Sequence, residues 1–159
     1  MLYQNSNGSD GISRRESVNI KFVEELGQRA NKGMQSVIDV IPKAQSREFS
    51  TLLTTLLEEY SRLIEDISSV AEAHGVKIRD VGALGRLSSR IGLELSVMTD
   101  SSESRVAQSL YEAVSRDLSD TVRSIREAES TSCAENILSL ARRLSELLER
   151  SAERIKSFL

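Results

Sequence analysis

The clearest helical pattern in the chain lies in residues 47–74, which read REFSTLLTTLLEEYSRLIEDISSVAEAH. Apolar residues recur there every three or four positions, the spacing that gives an α-helix one apolar face. Gly75 follows as the expected C-terminal cap, because glycine readily adopts the left-handed conformation needed there. The spacing therefore predicts a helix over 47–74, with a buried face of Phe49, Leu52, Leu56, Tyr60, Leu63, Ile67 and Val70.

Three further long helices are predicted by the same spacing, over residues 18–41, 102–129 and 133–158. Pro42 ends the first of them, because the residue before a proline disfavours the helical conformation. Ser13-Arg-Arg-Glu16 has the form of a capping box and permits a slightly earlier start. Ser132-Cys-Ala-Glu135 has the same form and is predicted to cap the last helix.

A shorter helix is predicted over residues 80–98. Gly82, Gly85 and Gly92 interrupt its apolar face, so packing rather than helix propensity would hold it together. Asp100-Ser-Ser-Glu103, which follows it, is predicted to cap the next long helix. The apolar residues of this shorter element are Val81, Leu84, Leu87, Ile91, Leu95 and Met98.

The connection lengths predict how these helices are arranged. About five residues join the first two long helices and about three join the last two, so each pair should form an antiparallel hairpin. Four long helices with one long crossover are typical of ferritin-like bundles. We therefore predict an all-α, ferritin-like antiparallel four-helix bundle, with the shorter helix in the crossover between the second and third long helices. A five-helix solenoid or an extended coiled coil is the alternative.

Composition excludes several classes of protein. One Cys among 159 residues excludes an internal disulfide, and one Cys with one His excludes a Cys/His zinc cluster. A net charge of −3 gives no general attraction to nucleic acid. The chain lacks an apolar run of about 18 residues and the basic, then apolar, start of a signal peptide. We therefore expect a cytoplasmic protein without nucleic acid or membrane insertion, in which residues 1–16 are a flexible tail and residues 17–159 one domain.

Two stretches of the chain resemble a known family. Residues 18–43, VNIKFVEELGQRANKGMQSVIDVIPK, are similar to the first helix of small uncharacterised bacterial ferritin-like proteins. Residues 90–110, RIGLELSVMTDSSESRVAQSL, resemble the crossover of that family through their Ile-Gly and Thr-Asp pairs, followed by Ser and Ala. The ending, residues 155–159, is similar as well. The resemblance spans roughly residues 18–159 and implies a ferritin-like bundle.

The resemblance also implies where a di-iron site would lie. Classical sites take a Glu from each of two helices and a Glu-x-x-His from each of the other two. This chain has a single His and cannot supply two such motifs. Arg62 and Ala152 stand where the histidines are expected, and the expected glutamates fall near Met34 and Gln108. We therefore expect no di-iron centre, no cofactor and no catalytic residues.

Few other residues are candidates for a site. Glu59 with Glu149 could bind a hard cation weakly, which is the metal-binding alternative. His74 is interpreted as a helix-end residue, favoured by the helix dipole or by packing. Cys133 lies where a helix N-terminus lowers a thiol pKa, but without a neighbouring ligand it is interpreted as structural. Tyr60 and Tyr111 are interpreted as packing residues whose hydroxyl groups find partners if buried.

These observations favour a non-enzymatic bundle that acts through protein–protein contacts or oligomerisation, as a homo-oligomer and most simply a dimer, with an unidentified protein partner. A degenerate carboxylate metal-binding or oxidase-type protein is one alternative. A small-molecule or lipid carrier with a slot beneath the crossover helix is another. A basic crossover surface for an anionic partner has less support, since a solvated helix face explains it better; its residues are Lys77, Arg79, Arg86 and Arg90.

Overall fold

The structure, a computed structural model, describes residues 7–78 and 102–159, with side chains from residue 14 onward. Four α-helices and no strand occupy these ranges. They are α1 (Asn7–Val40), α2 (Arg47–Ala73), α3 (Glu103–Ser130) and α4 (Glu135–Ile155). Short 3-10 turns at Ile41–Lys43 and Lys156–Phe158 extend α1 and α4. The prediction of an all-α fold is confirmed in these ranges, whereas the predicted helix over 80–98 and Asp100 lie outside them.

Local sequence signals place the ends of α2 correctly. Ser46 is the N-cap, and its hydroxyl oxygen accepts a hydrogen bond of 3.1 Å from the Phe49 N–H. Gly75 follows the helix with φ +74°, in the left-handed region that glycine adopts without strain. The prediction for residues 47–74 is therefore confirmed to within one residue.

The start of α1 differs from the prediction. The helix begins at Asn7 rather than Val18, so the predicted capping box at residues 13–16 lies inside it. A long-range contact accompanies this difference: the Glu16 carboxylate lies 2.8 Å from His74 Nδ1, beyond the C-terminal end of α2. The predicted boundary of a flexible tail at residue 16 therefore does not coincide with the start of the helix.

The predicted cap of α4 is wrong. Ala134, not Ser132, is the N-cap, and it has no side chain able to accept a hydrogen bond. Ser132 has φ +59°, which places it in the turn before the helix. The Ala134 N–H instead donates a 2.8 Å hydrogen bond to Asn19 Oδ1 of α1. A buried side chain from another helix thus replaces the local capping box.

The helices pack as two hairpins. Contacts within α1–α2 and within α3–α4 are the most extensive, while α2 lies against α4 and α1 against α3. Contact between α1 and α4 is slight. The order around the bundle is therefore α1, α2, α4, α3, with α1 and α4 on one diagonal and α2 and α3 on the other.

Hydrogen bonds at the helix ends define the direction of each helix. The Glu103 carboxylate at the start of α3 accepts from the Gln45 N–H at 2.7 Å and from the Ser46 N–H and hydroxyl, both at 2.6 Å. At the opposite end, Asn19 meets Ala134 and Glu16 meets His74. α2 and α3 therefore begin at the same end of the bundle, so the connection from residue 78 to residue 102 joins opposite ends.

The bundle interior is apolar. Each helix directs its apolar face inward, and Phe49 stacks on Phe158 with ring centroids 4.9 Å apart. Within residues 14–78 and 102–159, Leu159 is the one large hydrophobic residue that is exposed. The largest fully buried side chains are Tyr60, Phe49, Met34, Ile38, Leu53, Leu56, Ile64, Ile67, Leu110, Ile137, Leu144 and Leu148.

Replacement of Glu103 by Gln tests the contact that joins the hairpins. Hydrogen bonds from the Ser46 side chain and then from its backbone N–H hold the pKa of Glu103 below its ordinary value of 4.5, against an opposing effect of burial. The Gln45 N–H lowers this pKa by a smaller amount. A carboxylate with a lowered pKa stabilises the fold above its unfolded-state pKa, and this stabilisation is lost as the pH falls through its folded-state pKa. We expect Glu103→Gln to lower the free energy of unfolding by about 1 kcal/mol at neutral pH.

Urea denaturation over a pH series measures this effect. The difference between wild type and Glu103→Gln should shrink as the pH falls from the ordinary carboxyl pKa toward the lower folded-state pKa of Glu103, because the unfolded wild type binds a proton first. Glu65→Gln, an exposed position in α2, is the matched control and should leave the stability nearly unchanged. Equal stability of Glu103→Gln and wild type at neutral pH would show that this carboxylate does not hold the hairpins together.

Candidate functional site

The four residues that the family resemblance assigns to di-iron ligand positions lie in two different environments. Met34 and Ala152 are buried, and neither carries an oxygen or nitrogen ligand. Arg62 is exposed. Gln108 is also exposed, and its amide donates a 2.8 Å hydrogen bond to Glu112. Of these four residues, only the two apolar ones enter the bundle.

Glu59 and Glu149, the candidate metal pair, lie at the surface. Glu59 is partly exposed, with a carboxylate oxygen 3.5 Å from the Arg154 guanidinium. Glu149 is exposed on α4. In the part of the chain that the structure describes, no three His, Cys, Asp or Glu residues form a group that could hold a metal ion.

His74 and Cys133 lie toward the end of the bundle opposite Glu103. His74 is the C-cap of α2, as expected of a helix-end residue, and its ring also contacts Glu16. Hydrogen bonding to His74 is the main cause of a lowered Glu16 pKa. Cys133 is buried in the turn before α4, and burial raises its thiol pKa. The expectation that a helix N-terminus would lower it is wrong, because the residue precedes the helix and is desolvated.

Tyr60 is the one interior residue with an unusual polar group. Its hydroxyl is buried without a hydrogen-bond partner among the described residues, contrary to the expectation that a buried tyrosine finds one. Burial, and then the charge of Asp117, raises its pKa. The ring lies so close to Gly33 of α1 that an added Cβ would sit 2.6 Å from the Tyr60 oxygen. Glycine at position 33 therefore leaves the space that this ring occupies against α1. Tyr111 is only partly buried.

A group of charged residues lies between α1 and α3, near Tyr60. Asp117 is partly buried, and burial raises its carboxyl pKa despite the opposing charges of Lys32 and Arg29. Arg29 reaches from α1 to α3, where its Nη1 donates a 3.3 Å hydrogen bond to the Thr121 hydroxyl. Thr121 is itself buried and donates to the Asp117 carbonyl at 2.7 Å. Burial raises the pKa of Asp117, which acts electrostatically on the buried Tyr60 hydroxyl, and shifted pKa values often mark functional sites. The contact between α1 and α3 around Asp117 is therefore the strongest candidate site among the described residues.

Sequence reasoning missed this group. Arg29, Thr121 and Asp117 follow no spacing that marks a metal or catalytic site, and they meet only because α1 packs on α3. The basic crossover that the sequence suggested falls largely outside the described residues, since only Lys77 of its four side chains is described, and it is exposed.

Comparisons with known proteins give no assignment for this fold or site. Searches against protein-family models, curated proteins and solved structures found no match to the chain. Among residues 7–78 and 102–159, no helix combines the length and the apolar character required to cross a membrane. The function must therefore be argued from the residues themselves.

The close contact between Gly33 and Tyr60 gives a prediction. Gly33→Ala places a methyl group against the buried Tyr60 ring, and we expect a loss of about 1–3 kcal/mol in unfolding free energy, partly offset by helix propensity. Tyr60→Phe removes the unpartnered hydroxyl together with the nearest contact to that methyl group, so we expect it to be neutral or stabilising.

Chemical denaturation of the two single variants and the double variant measures the coupling between these residues. We expect Gly33→Ala to cost less stability when Tyr60 is already Phe. Strictly additive effects of the two substitutions would contradict this expectation and would assign the clash to the ring carbons, which lie 2.8 and 2.9 Å from the added Cβ.

Proposed function

We propose that this chain is a non-catalytic, ferritin-like helical bundle that acts through protein–protein contacts, as a homo-oligomer and most simply as a dimer. One observation carries the proposal: where a ferritin-like site would draw ligands inward, the interior receives Met34 and Ala152. Two charged residues occupy the position at which the resemblance expects Glu-x-x-His in α2. Glu59 is partly exposed and Arg62 is exposed. A bundle of this kind offers its surface rather than a reaction centre.

The order of the helices supports the ferritin-like part of the proposal. Bundles of that class join two antiparallel hairpins by one long crossover. The contacts of Glu103 with Ser46, at one end, and of Asn19 with Ala134, at the other, require the connection between α2 and α3 to span the bundle. A bundle with only short connections would place the start of α3 near His74 instead.

The surface of the described helices limits where an oligomer could form. Their apolar faces are used within one chain, and the outward faces carry ion pairs such as Arg143 with Asp66, at 2.7 Å. Exposed pairs of this kind contribute little to association. Among residues 14–78 and 102–159, Leu159 is the one exposed large hydrophobic residue, so the homo-oligomer part of the proposal rests on the sequence pattern alone.

The metal-binding alternative has weaker support. Glu59 is already engaged by Arg154, and a carboxylate that neutralises an arginine is a poorer ligand for a cation. Glu149 belongs to no group of three or more His, Cys, Asp or Glu residues of the described chain that could hold a metal ion. Two exposed carboxylates give at most a weak, water-rich site for a hard cation.

Native mass spectrometry of the full chain, purified from medium containing iron, manganese and zinc, tests both parts of the proposal. It reports the number of chains and any bound ions in the same spectrum. We expect a homodimer whose mass equals that of two chains. Glu59→Ala, Glu149→Ala and the control Glu65→Ala should each give a dimer of two variant chains, likewise without a bound ion.

A mass increase of one or two metal ions per chain, lost in Glu59→Ala or Glu149→Ala, would establish the metal-binding alternative. A monomer at every protein concentration would overturn the oligomer part of the proposal, whatever the metal content.

A further inference from the structure

The chain that follows α2 turns back onto α1. Gly75, with φ +74°, ends the helix, and Ile78 then packs closely on Gly27 of α1. A Cβ added at Gly27 would overlap the Ile78 side chain, so glycine leaves the room that this close approach needs. The last described residue before the connection to α3 therefore lies against α1.

This contact also gives the direction in which the chain leaves α2. Glu16 of α1 lies level with His74, at the C-terminal end of α2. Gly27 lies further along α1, by about 16 Å at 1.5 Å per residue. The far end of α1 leads to Ser46, which meets Glu103 at the start of α3. The chain has therefore already moved along α1 toward the end of the bundle at which α3 begins.

Two paths around the bundle could complete the connection. α2 and α3 lie on one diagonal, so a chain that joins them passes either over α1 or over α4. From Gly27 to Val40, α1 spans about 20 Å more, and residues 79–101 would reach about 35 Å even if all of them were helical. The path over α4 would require the chain to leave Gly27 and cross α2. The contact of Ile78 with Gly27 therefore favours the path over α1.

A groove on the outer side of α1 lies next to Ile78. The described residues that line it are Glu24, Gln28 and Asn31 of α1, together with Lys77 and Ile78. The three α1 positions share one side of the helix because they follow its three- and four-residue repeat. The same side continues toward the start of α3, and we call it the docking face of α1. It consists of acids and amides, namely Glu24, Gln28, Asn31, Gln35 and Asp39.

The charges on the two helices favour the same path. The chain from residue 77 to residue 90 is basic, with the charged residues Lys77, Arg79, Asp80, Arg86 and Arg90. A basic segment is attracted to the acids and amides of the docking face. The outer side of α4 instead exposes several arginines, which repel such a segment; they are Arg143, Arg150 and Arg154.

We propose that the docking face of α1 binds residues 79–101 of the same chain, so that the connection crosses the bundle over α1 rather than over α4. This inference rests on the crossover in the proposed function and adds the path that the crossover takes. A connection in this place covers α1. It leaves the outer faces of α2, α3 and α4 for contacts with another protein.

Paramagnetic relaxation enhancement in the full chain tests the path. Two variants in a Cys133→Ser background carry one nitroxide each, at Lys32→Cys beside the docking face or at Glu146→Cys on α4, both exposed positions. We expect the label on α1 to cause loss of amide signals from residues 79–101. The label on α4 should leave these signals in place, because the two helices lie at opposite corners of the bundle.

Loss of those signals with the label on α4 alone would overturn the proposal, and so would signals that survive both labels. Failure of the crossover itself has a different signature, since it changes the distance between the first turns of α2 and α3. A crossover keeps that distance short whichever helix the connection covers.

The contact from which the path is inferred has a test of its own. Gly27→Ala adds a methyl group that meets Ile78, whereas in an Ile78→Ala background the methyl group has more room and alanine favours the helix. We expect Gly27→Ala to raise the urea midpoint more in that background than in the wild type. An equal shift in both would show that Ile78 does not pack on Gly27 and would overturn the proposal.

Discussion

The carboxylate of Glu103 is the polar contact that joins the first turns of α2 and α3, and it shows which ends of the two hairpins meet. It belongs to the first turn of α3, yet all three of its hydrogen bonds come from Gln45 and Ser46, in the turn that begins α2. A negative charge beside two helix N-termini is favoured by both helix dipoles. The Ser46 hydroxyl oxygen caps α2, while the N–H and hydroxyl of the same residue donate to Glu103. Ser46 and Glu103 therefore link the first turns of α2 and α3, which lie on a diagonal of the bundle.

Much of the fold could be predicted from the sequence because the helices are strongly amphipathic. The bounds of α2 depend on Ser46, the apolar spacing and Gly75, all of which act within a few residues. Prediction failed where a distant residue decides the outcome. The N-terminal end of α4 depends on Asn19, more than one hundred residues away in the chain, rather than on the local Ser132 box. The early start of α1 is likewise accompanied by a contact with His74 that no local pattern encodes.

Less of the candidate site could be predicted. Counting histidines led to the expectation that a di-iron site is missing, which stays a prediction; the structure shows that Met34 and Ala152 are buried. The features that define the interior depend on the register between helices. The Tyr60 ring packs closely on α1 because Gly33 faces it, and Arg29 meets Thr121 because α1 lies on α3. Each pair comes from different helices, so residue spacing within one helix carries no signal for it.

The distance between the first turns of α2 and α3 tests the arrangement of the bundle most directly. Nitroxide labels at the exposed positions Glu48 and Arg105, in a Cys133→Ser background, give this distance by double electron–electron resonance. The crossover arrangement predicts a short distance, well under half of the roughly 40 Å length of α2. A distance near that full length would place the start of α3 beside His74 and contradict it.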